Sequence, residues 1–378
     1  MTCHPSEVSS ADAQAWNDLR AAHPDYNSPL LSPEFARTVG QNRSDARVVL
    51  LHDEAGLAGV FAYFQRPGGL ARSIGAPFSD YSGPVLRSDF GWSLVEIIES
   101  AGLSAWQTTS LVDPWDKFEA ERSGAHSTML ITLDIDPADY LEQQRKKHAK
   151  RFKNFRRLDS QATRDGYELS MKWGAIDPAL KNELFRYKSE QYVASGLVDL
   201  TDTKHSRAIL DEVANSPNGF CIGLWAGDEF VSAHFGFRLD DVFHPWIAAY
   251  NPDFARYSPG NLLLKRIIEN MPAMGLREYD LAEGHDHYKK YYISSERTVY
   301  HAHVTSRSLF GRAKSAQSVV WRLLGADRDG AATQRLRRRL DHVSASDPRF
   351  TVRVLDLFSA MRKRGIHQQA GPHVKSDA

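Results

Sequence analysis

Ala255-Arg-Tyr-Ser-Pro-Gly-Asn261 leads into the apolar stretch Leu262 to Ile268, and anion chemistry is most legible there. A helix opening at this loop presents unpaired backbone N–H groups and about half a positive charge, which suits a pyrophosphate. Gly260 leaves room for a ligand, and Arg256 adds a charge. The same Ser-Pro-Gly suits a plain capped helix after a turn, so the loop alone leaves both readings open. Upstream, His234 lies in the run Ser232 to Phe237; imidazole titrates near neutral pH, although a strand histidine is more often a packed one. Downstream, Glu283-Gly-His-Asp-His-Tyr-Lys289 collects charged and aromatic groups. His285 and His287, at alternate positions without a third fixed ligand, are a weak metal signal, and no metal is expected. Ser79-Asp-Tyr-Ser-Gly83 is a polar loop in which Asp80 and Tyr81 suit either a cleft between two halves or a turn capped by the aspartate.

These residues need a scaffold, and the pattern predicts one. Ala46 to His52 and Leu57 to Phe64 flank a short acidic, glycine-containing turn and read as a hairpin; Gly219 to Trp225 and Phe230 to Phe237 repeat that plan about 170 residues later. The spacing suggests a duplicated unit. Val242 to Tyr250 reads as a third strand, with Pro245 implying an edge, a bulge or a local break in pairing. Ser258 as N-cap and Pro259 at the first helical position open a helix to about Asn270. Arg277 to Ala282 and Arg297 to Val304 read as strands around a short helical segment, His287 to Tyr292. The order is α+β, a mostly antiparallel sheet with a helical crossover. Between the halves, Tyr140 to Arg157 reads as one basic amphipathic helix, with eight Lys/Arg from Arg145 to Arg157. It suits a solvated helix face, a surface steering an anionic donor, or contact with an anionic membrane.

Composition limits the rest. Lys plus Arg equal Asp plus Glu at 47 each, which argues against a uniformly basic nucleic-acid binder, so no DNA partner is expected. Cys3 and Cys221 form neither a disulfide framework nor a zinc pattern. The N-terminal residues lack a secretory-signal pattern, no run approaches a membrane span, and a cytoplasmic protein is expected.

Five segments together carry a resemblance: Gly75 to Gly83, Arg145 to Arg157, Ala233-His-Phe-Gly-Phe-Arg238, Phe254 to Gly260, and Asp280-Leu-Ala-Glu-Gly-His-Asp-His-Tyr-Lys289. They resemble the CelD/BcsL family, whose GNAT-type domain is linked to cellulose biosynthesis and related to the paired GNAT units of FemABX peptidyltransferases. The resemblance covers about residues 28 to 306. It implies tandem GNAT-like units: an N-terminal segment (1–27), a first half (28–138), a basic linking helix (139–165), a C-terminal acetyltransferase domain (166–306), and a helical basic tail with a disordered end (307–378).

It also implies an acyltransferase with acetyl-CoA or another acyl-CoA as co-substrate, no permanently bound cofactor, and an amine or hydroxyl acceptor. Polysaccharide-synthesis machinery is the implied partner. Arg256, Tyr257, Ser258, Gly260 and Asn261 are expected to hold the donor, His234 to act as base and Tyr288 as acid, with Tyr291 and Tyr292 competing for the acid role. Asp80, Tyr81, Trp246, Glu283, Asp286 and Lys289 are expected around the acceptor. The usual phosphate loop, Arg/Gln-x-x-Gly-x-Gly/Ala, is incomplete here: no second small residue follows Gly260, and Pro259 removes a backbone donor. A FemABX-like transferase using aminoacyl-tRNA, or an inactive GNAT-shaped assembly protein, therefore stands as the alternative.

Overall fold

Turn chemistry sets the strand pairing of the first unit. In the computed structural model, which describes residues 1–195, 197, 199–283, 288–308 and 311, a short edge strand β1 (Thr2–Cys3) precedes helices α1 (Ser10–Ala21) and α2 (Pro33–Gly40). Then β2 (Ala46–Asp53) and β3 (Gly56–Arg66) form the expected hairpin. Asp53 accepts the Ala55 N–H at 2.9 Å and Gly56 takes φ 113°, which a side chain would resist. β4 (Leu70–Ser73), β5 (Val85–Leu86), α3 (Leu94–Ser100), β6 (Ala105–Leu111) and β7 (Arg122–Thr132) follow. Ser93 and Glu96 start α3 with reciprocal caps.

The second unit repeats the order. Helices α4 (Pro137–Lys147) and α5 (Ala149–Arg164) lead to β8 (Leu169–Gly174), α6 (Pro178–Ala194) and α7 (Lys204–Asn215). Three antiparallel strands, β9 (Gly219–Ala226), β10 (Glu229–Leu239) and β11 (Val242–Tyr250), precede α8 (Pro259–Asn270), β12 (Glu278–Asp280) and β13 (Ser295–Thr305). The bulge expected at Pro245 is present: the β10–β11 register shifts between Phe235 and Gly236, and Gly236 opposes Pro245.

The thirteen strands of the described residues join one sheet, ordered β1-β2-β3-β4-β6-β13-β7-β12-β11-β10-β9-β8, with β5 on β3. Each unit lends its last strand to the other: β7 pairs with β12, while β13 pairs with β6 and β7. The tandem GNAT-like plan therefore stands, as a single shared sheet rather than two. One sheet face buries Phe64, Phe235 and Phe237 beneath α1, α2, α6 and α7, with Phe35 of α2 packed among them; on the second unit's other face Phe243 and Tyr279 pack under α5 and α8. Leu263, Leu264, Ile267 and Ile268 of α8 are fully buried there, each contributing roughly 1.5–3 kcal/mol over exposure.

Two expectations need correction. The basic segment is two helices broken at His148 (φ −127°, ψ 40°), because Tyr140 and Gln144 reach Tyr292 and Ile293 while Phe152 and Phe155 pack against Tyr292 at a different angle. Ser258 occupies the cap position of α8 but in left-handed conformation (φ 57°), and its side chain makes no cap hydrogen bond. The tail beyond 311 lies outside the described residues.

Candidate active site at the parted strands

β11 and β12 run parallel and pair only at Val242↔Glu278 and Phe243↔Tyr279. β12 ends at Asp280 while β11 continues to Tyr250, so the sheet opens where the N-terminus of α8 arrives. Ser258 and Ala282, at φ 57° and 55°, flank the opening; left-handed backbone at non-glycine residues costs about 1–3 kcal/mol and gathers at functional sites. The first unit has the equivalent parting, since β4 and β6 pair in parallel only at Leu70↔Ala105 and Ala71↔Trp106. There the chain plugs the gap itself. Ser82 exchanges backbone bonds with Ser110 and Val112 at 2.8 and 2.9 Å, and its hydroxyl meets Thr108 at 2.7 Å. The opening beside α8 has no such plug among the described residues.

Around that opening the structure assembles several of the expected residues. His234, between Ile222 and Ala248 in the sheet, is 3% exposed, and its Nδ1 bonds the hydroxyl of Tyr279. Tyr279 is fully buried, which pushes its phenol well above its ordinary range, with Tyr288 adding to the effect. Tyr288 in turn lies against Gly260: a Cβ built there would stand 2.7 Å from the Tyr288 hydroxyl. The glycine thus makes room for Tyr288 at the helix N-terminus. The competing tyrosines sit elsewhere: Tyr292 is buried and donates to Asn261 Oδ1 at 2.8 Å, and Tyr291 packs beside His148 and Phe155.

The donor-loop residues divide. Asn261 is 1% exposed, and its Nδ2 has no hydrogen-bond partner among the described residues. Tyr257 is buried, and its hydroxyl bonds Asp165, so it anchors the loop to the end of α5 instead of facing the opening. Arg256 stays exposed, stacks on Tyr257 and pairs with Asp165 at 3.4 Å. Lys289 donates to the Leu281 carbonyl at 3.4 Å, and Glu283 lies 3.4 Å from His126. Asp286, with His285 and His287, lies outside the described residues. No group of three His, Cys, Asp or Glu suited to a metal occurs among the described residues.

On the opposite sheet face stands a network that sequence reading missed. His244 of β11 is fully buried; its Nε2 lies 2.8 Å from Asp80 Oδ2 and its Nδ1 3.3 Å from Asp280 Oδ2. Asp280, also fully buried, meets Arg297 at 3.3 Å, and Arg297 meets Glu278 at 3.2 Å. Burial by itself would lower the His244 pKa, but the Asp280 and Asp80 carboxylates outweigh it and raise it to about 9. Burial would raise Asp280, yet His244 and Arg297 hold it below the usual carboxylate range. Of the first-half candidates, Asp80 joins this network with 40% of its side chain exposed. Tyr81 is buried beneath the Arg297 guanidinium and donates to Thr128 at 2.7 Å, so it braces the network and lines no cleft. Trp246 stacks on Phe78 at 5.2 Å, and its Nε1 has no partner among the described residues.

Beside α8, the helices α4 and α5 bury Phe152 and Phe155 and expose Lys146, Lys147, Lys150, Arg151, Lys153, Arg156 and Arg157. Arg145 pairs with Glu142, and Asp159 holds Lys265 and Arg266 of α8 at 3.2 and 2.8 Å. Arg151 and Lys290 both lie over Tyr291, which carries the basic ridge toward the Tyr288 turn. No helix among the described residues is long and apolar enough to cross a membrane.

Residues 149–290 match the family model described as Acetyltransferase (GNAT) domain. No curated protein matches the chain. Among solved structures, FemX is similar in fold at a TM-score of 0.52 and 10% identity, over 80% of this chain and 96% of FemX. A tandem GNAT protein from the clavulanic acid biosynthesis pathway matches at a TM-score of 0.45 and 11% identity, covering 81% of this chain and 97% of that one. L-PGS from Bacillus licheniformis matches at a TM-score of 0.41 and 12% identity, over 84% and 97%. The chain carries a GNAT acetyltransferase domain, and it is an acyltransferase in reaction class.

Proposed function

We propose that the chain transfers an acyl group, an acetyl group in the simplest case, from acyl-CoA seated at the parting of β11 and β12 to an amine or hydroxyl entering from the face that carries Asp80 and Trp246. The observation carrying this reading is the two-pair parallel contact followed by an opening at the α8 N-terminus that no described residue plugs. The pyrophosphate meets the Gly260 N–H with the macrodipole behind it, since Asn261 and Leu262 already donate to the Ser258 carbonyl at 3.0 and 3.1 Å. Arg256 and the ridge of α4 and α5 add positive potential. The acceptor's nitrogen or oxygen attacks the thioester carbon and the C–S bond breaks. Tyr288 gives its proton to the leaving thiolate, and His234, linked through Tyr279, takes the acceptor's proton. Such a transferase suits acylation in cellulose or exopolysaccharide biosynthesis.

A second reading has one observation in its favour: the ridge holds more cations than the phosphates of CoA require. A donor delivered on charged tRNA would use them. Isothermal titration separates the two. Acetyl-CoA binding with no competition from charged tRNA supports the first; tRNA binding without CoA binding replaces it; binding of neither leaves a GNAT-shaped assembly protein.

A further inference from the structure

The segment that plugs the first unit's parting does a second thing. Residues 74 to 84 run from β4 into the Ser82 plug, and on the way they carry Asp80 across to His244 of the second unit, 164 positions away in sequence. His244 Nε2 donates to Asp80 at 2.8 Å, while Nδ1 lies 3.3 Å from Asp280 as an ion-pair contact without a hydrogen bond, so a carboxylate on each side of the ring favours the imidazolium. Charge then balances inside and not at the rim. His244 and Arg297 offset Asp280 and Glu278, all four buried, which leaves two half-exposed carboxylates as surplus negative charge at the rim, Asp80 beside His244 and Asp25 at 3.9 Å from Arg297. Asp80 Oδ2 is taken by His244 at 2.8 Å, a bond that fixes the carboxylate's direction.

Resting on the reading of the parted strands as the reaction centre, we propose that His244 is a positioning residue for the acceptor: it aims the Asp80 carboxylate into the acceptor's path, so that the acceptor is bound as a primary ammonium group. Trp246, two residues beyond His244 on the same strand, supplies an aromatic wall stacked on Phe78, and such a face favours a cation over a neutral hydroxyl. α6 packs against β11, the strand that carries His244, and burial, with Asp199 and Asp80 adding to it, pushes the Tyr192 phenol of that helix up to about 12. Lys188 of that helix is directed to the Ala248 carbonyl at 3.2 Å, and Asp199 is bonded by Ser189 and by Thr201.

The test uses the full chain with acetyl-CoA and two amines, glucosamine and 1,6-diaminohexane, each against the alcohol of the same skeleton, glucose and 1,6-hexanediol. Wild type is expected to prefer the amines by about tenfold or more in kcat/KM. Asp80→Asn should remove about tenfold for the amines, mainly through KM, while acetyl-CoA affinity stays within about twofold. His244→Gln should reproduce that split, and the double variant should be no worse than Asp80→Asn, because one residue acts through the other. No amine preference in wild type, an unchanged KM in Asp80→Asn, or additive losses would each overturn the assignment. Should wild type bind no acetyl-CoA, the donor reading fails. The Asp80 subsite is then read by titrating 1,6-diaminohexane into wild type and Asp80→Asn, and equal affinities overturn it.

Discussion

At the residue scale, Tyr288 and Gly260 lie close together at the proposed site, and they yield separable expectations. Tyr288→Phe keeps the ring and deletes the proton, so turnover should fall by roughly a hundredfold while acetyl-CoA affinity holds. His234→Ala should also lower turnover more than affinity, as steady-state kinetics with calorimetry would record. Gly260→Ala tests the geometry differently. Alanine favours a helix by up to about 1 kcal/mol, so thermal stability should hold or rise. The new Cβ would meet the Tyr288 hydroxyl at 2.7 Å, so turnover should fall as that hydroxyl is displaced. A loss of stability with unchanged turnover would reverse the interpretation. His234 and Tyr288 could be proposed from the sequence because their types and places suit acid–base work. His244 could not, since a histidine before Pro245 in an apolar strand carries no local sign of the two carboxylates it meets.

Elements were read best where local chemistry dominates. The bounds of α8 follow from Pro259 and from the apolar spacing at Leu262, Leu263 and Ile267. The basic segment failed as a single helix because its break comes from tertiary contacts of Tyr140 and Phe152 with the Tyr292 turn, and no proline or glycine marks it. If the exposed ridge steers an anionic donor, charge reversal at Lys150 and Lys153 should raise the donor KM several-fold at low ionic strength. The effect should shrink near 1 M salt, where the Debye length is about 3 Å. A salt-independent change would point to a local packing defect. Asp159 tests the attachment of α5 to α8: Asp159→Ala leaves Lys265 and Arg266 without their shared carboxylate and should lower stability by about 1–2 kcal/mol in denaturant unfolding.

Over the whole molecule, what escaped the sequence is how the units are tied together. An alternating strand pattern states which face is buried but not whose neighbour the strand becomes, so the crossing of β7 and β13 between units had no signature. The Asp80–His244–Asp280–Arg297 network spans that same junction, and its titration offers a global measurement. His244 has a folded pKa of about 9 against an ordinary 6.5, so its stabilisation is fully present below about pH 6.5 and is lost as pH rises through about 9. Asp280 has the opposite sign: its folded pKa lies below the ordinary value of 3.8, so its contribution is present above that value and is lost as pH falls through the folded one. Arg297 stays charged throughout, and burial keeps the Tyr81 phenol well above 10. Between pH 6.5 and 9, His244 is therefore the group in this network whose proton is at stake. At about 1.4 kcal/mol per unit, the full shift amounts to a few kcal/mol. Melting temperature measured across that interval should fall in wild type and fall less in His244→Gln, while the two proteins should differ most near pH 6. Parallel curves would mean that His244 is neutral in the folded protein and that the junction is held by packing alone.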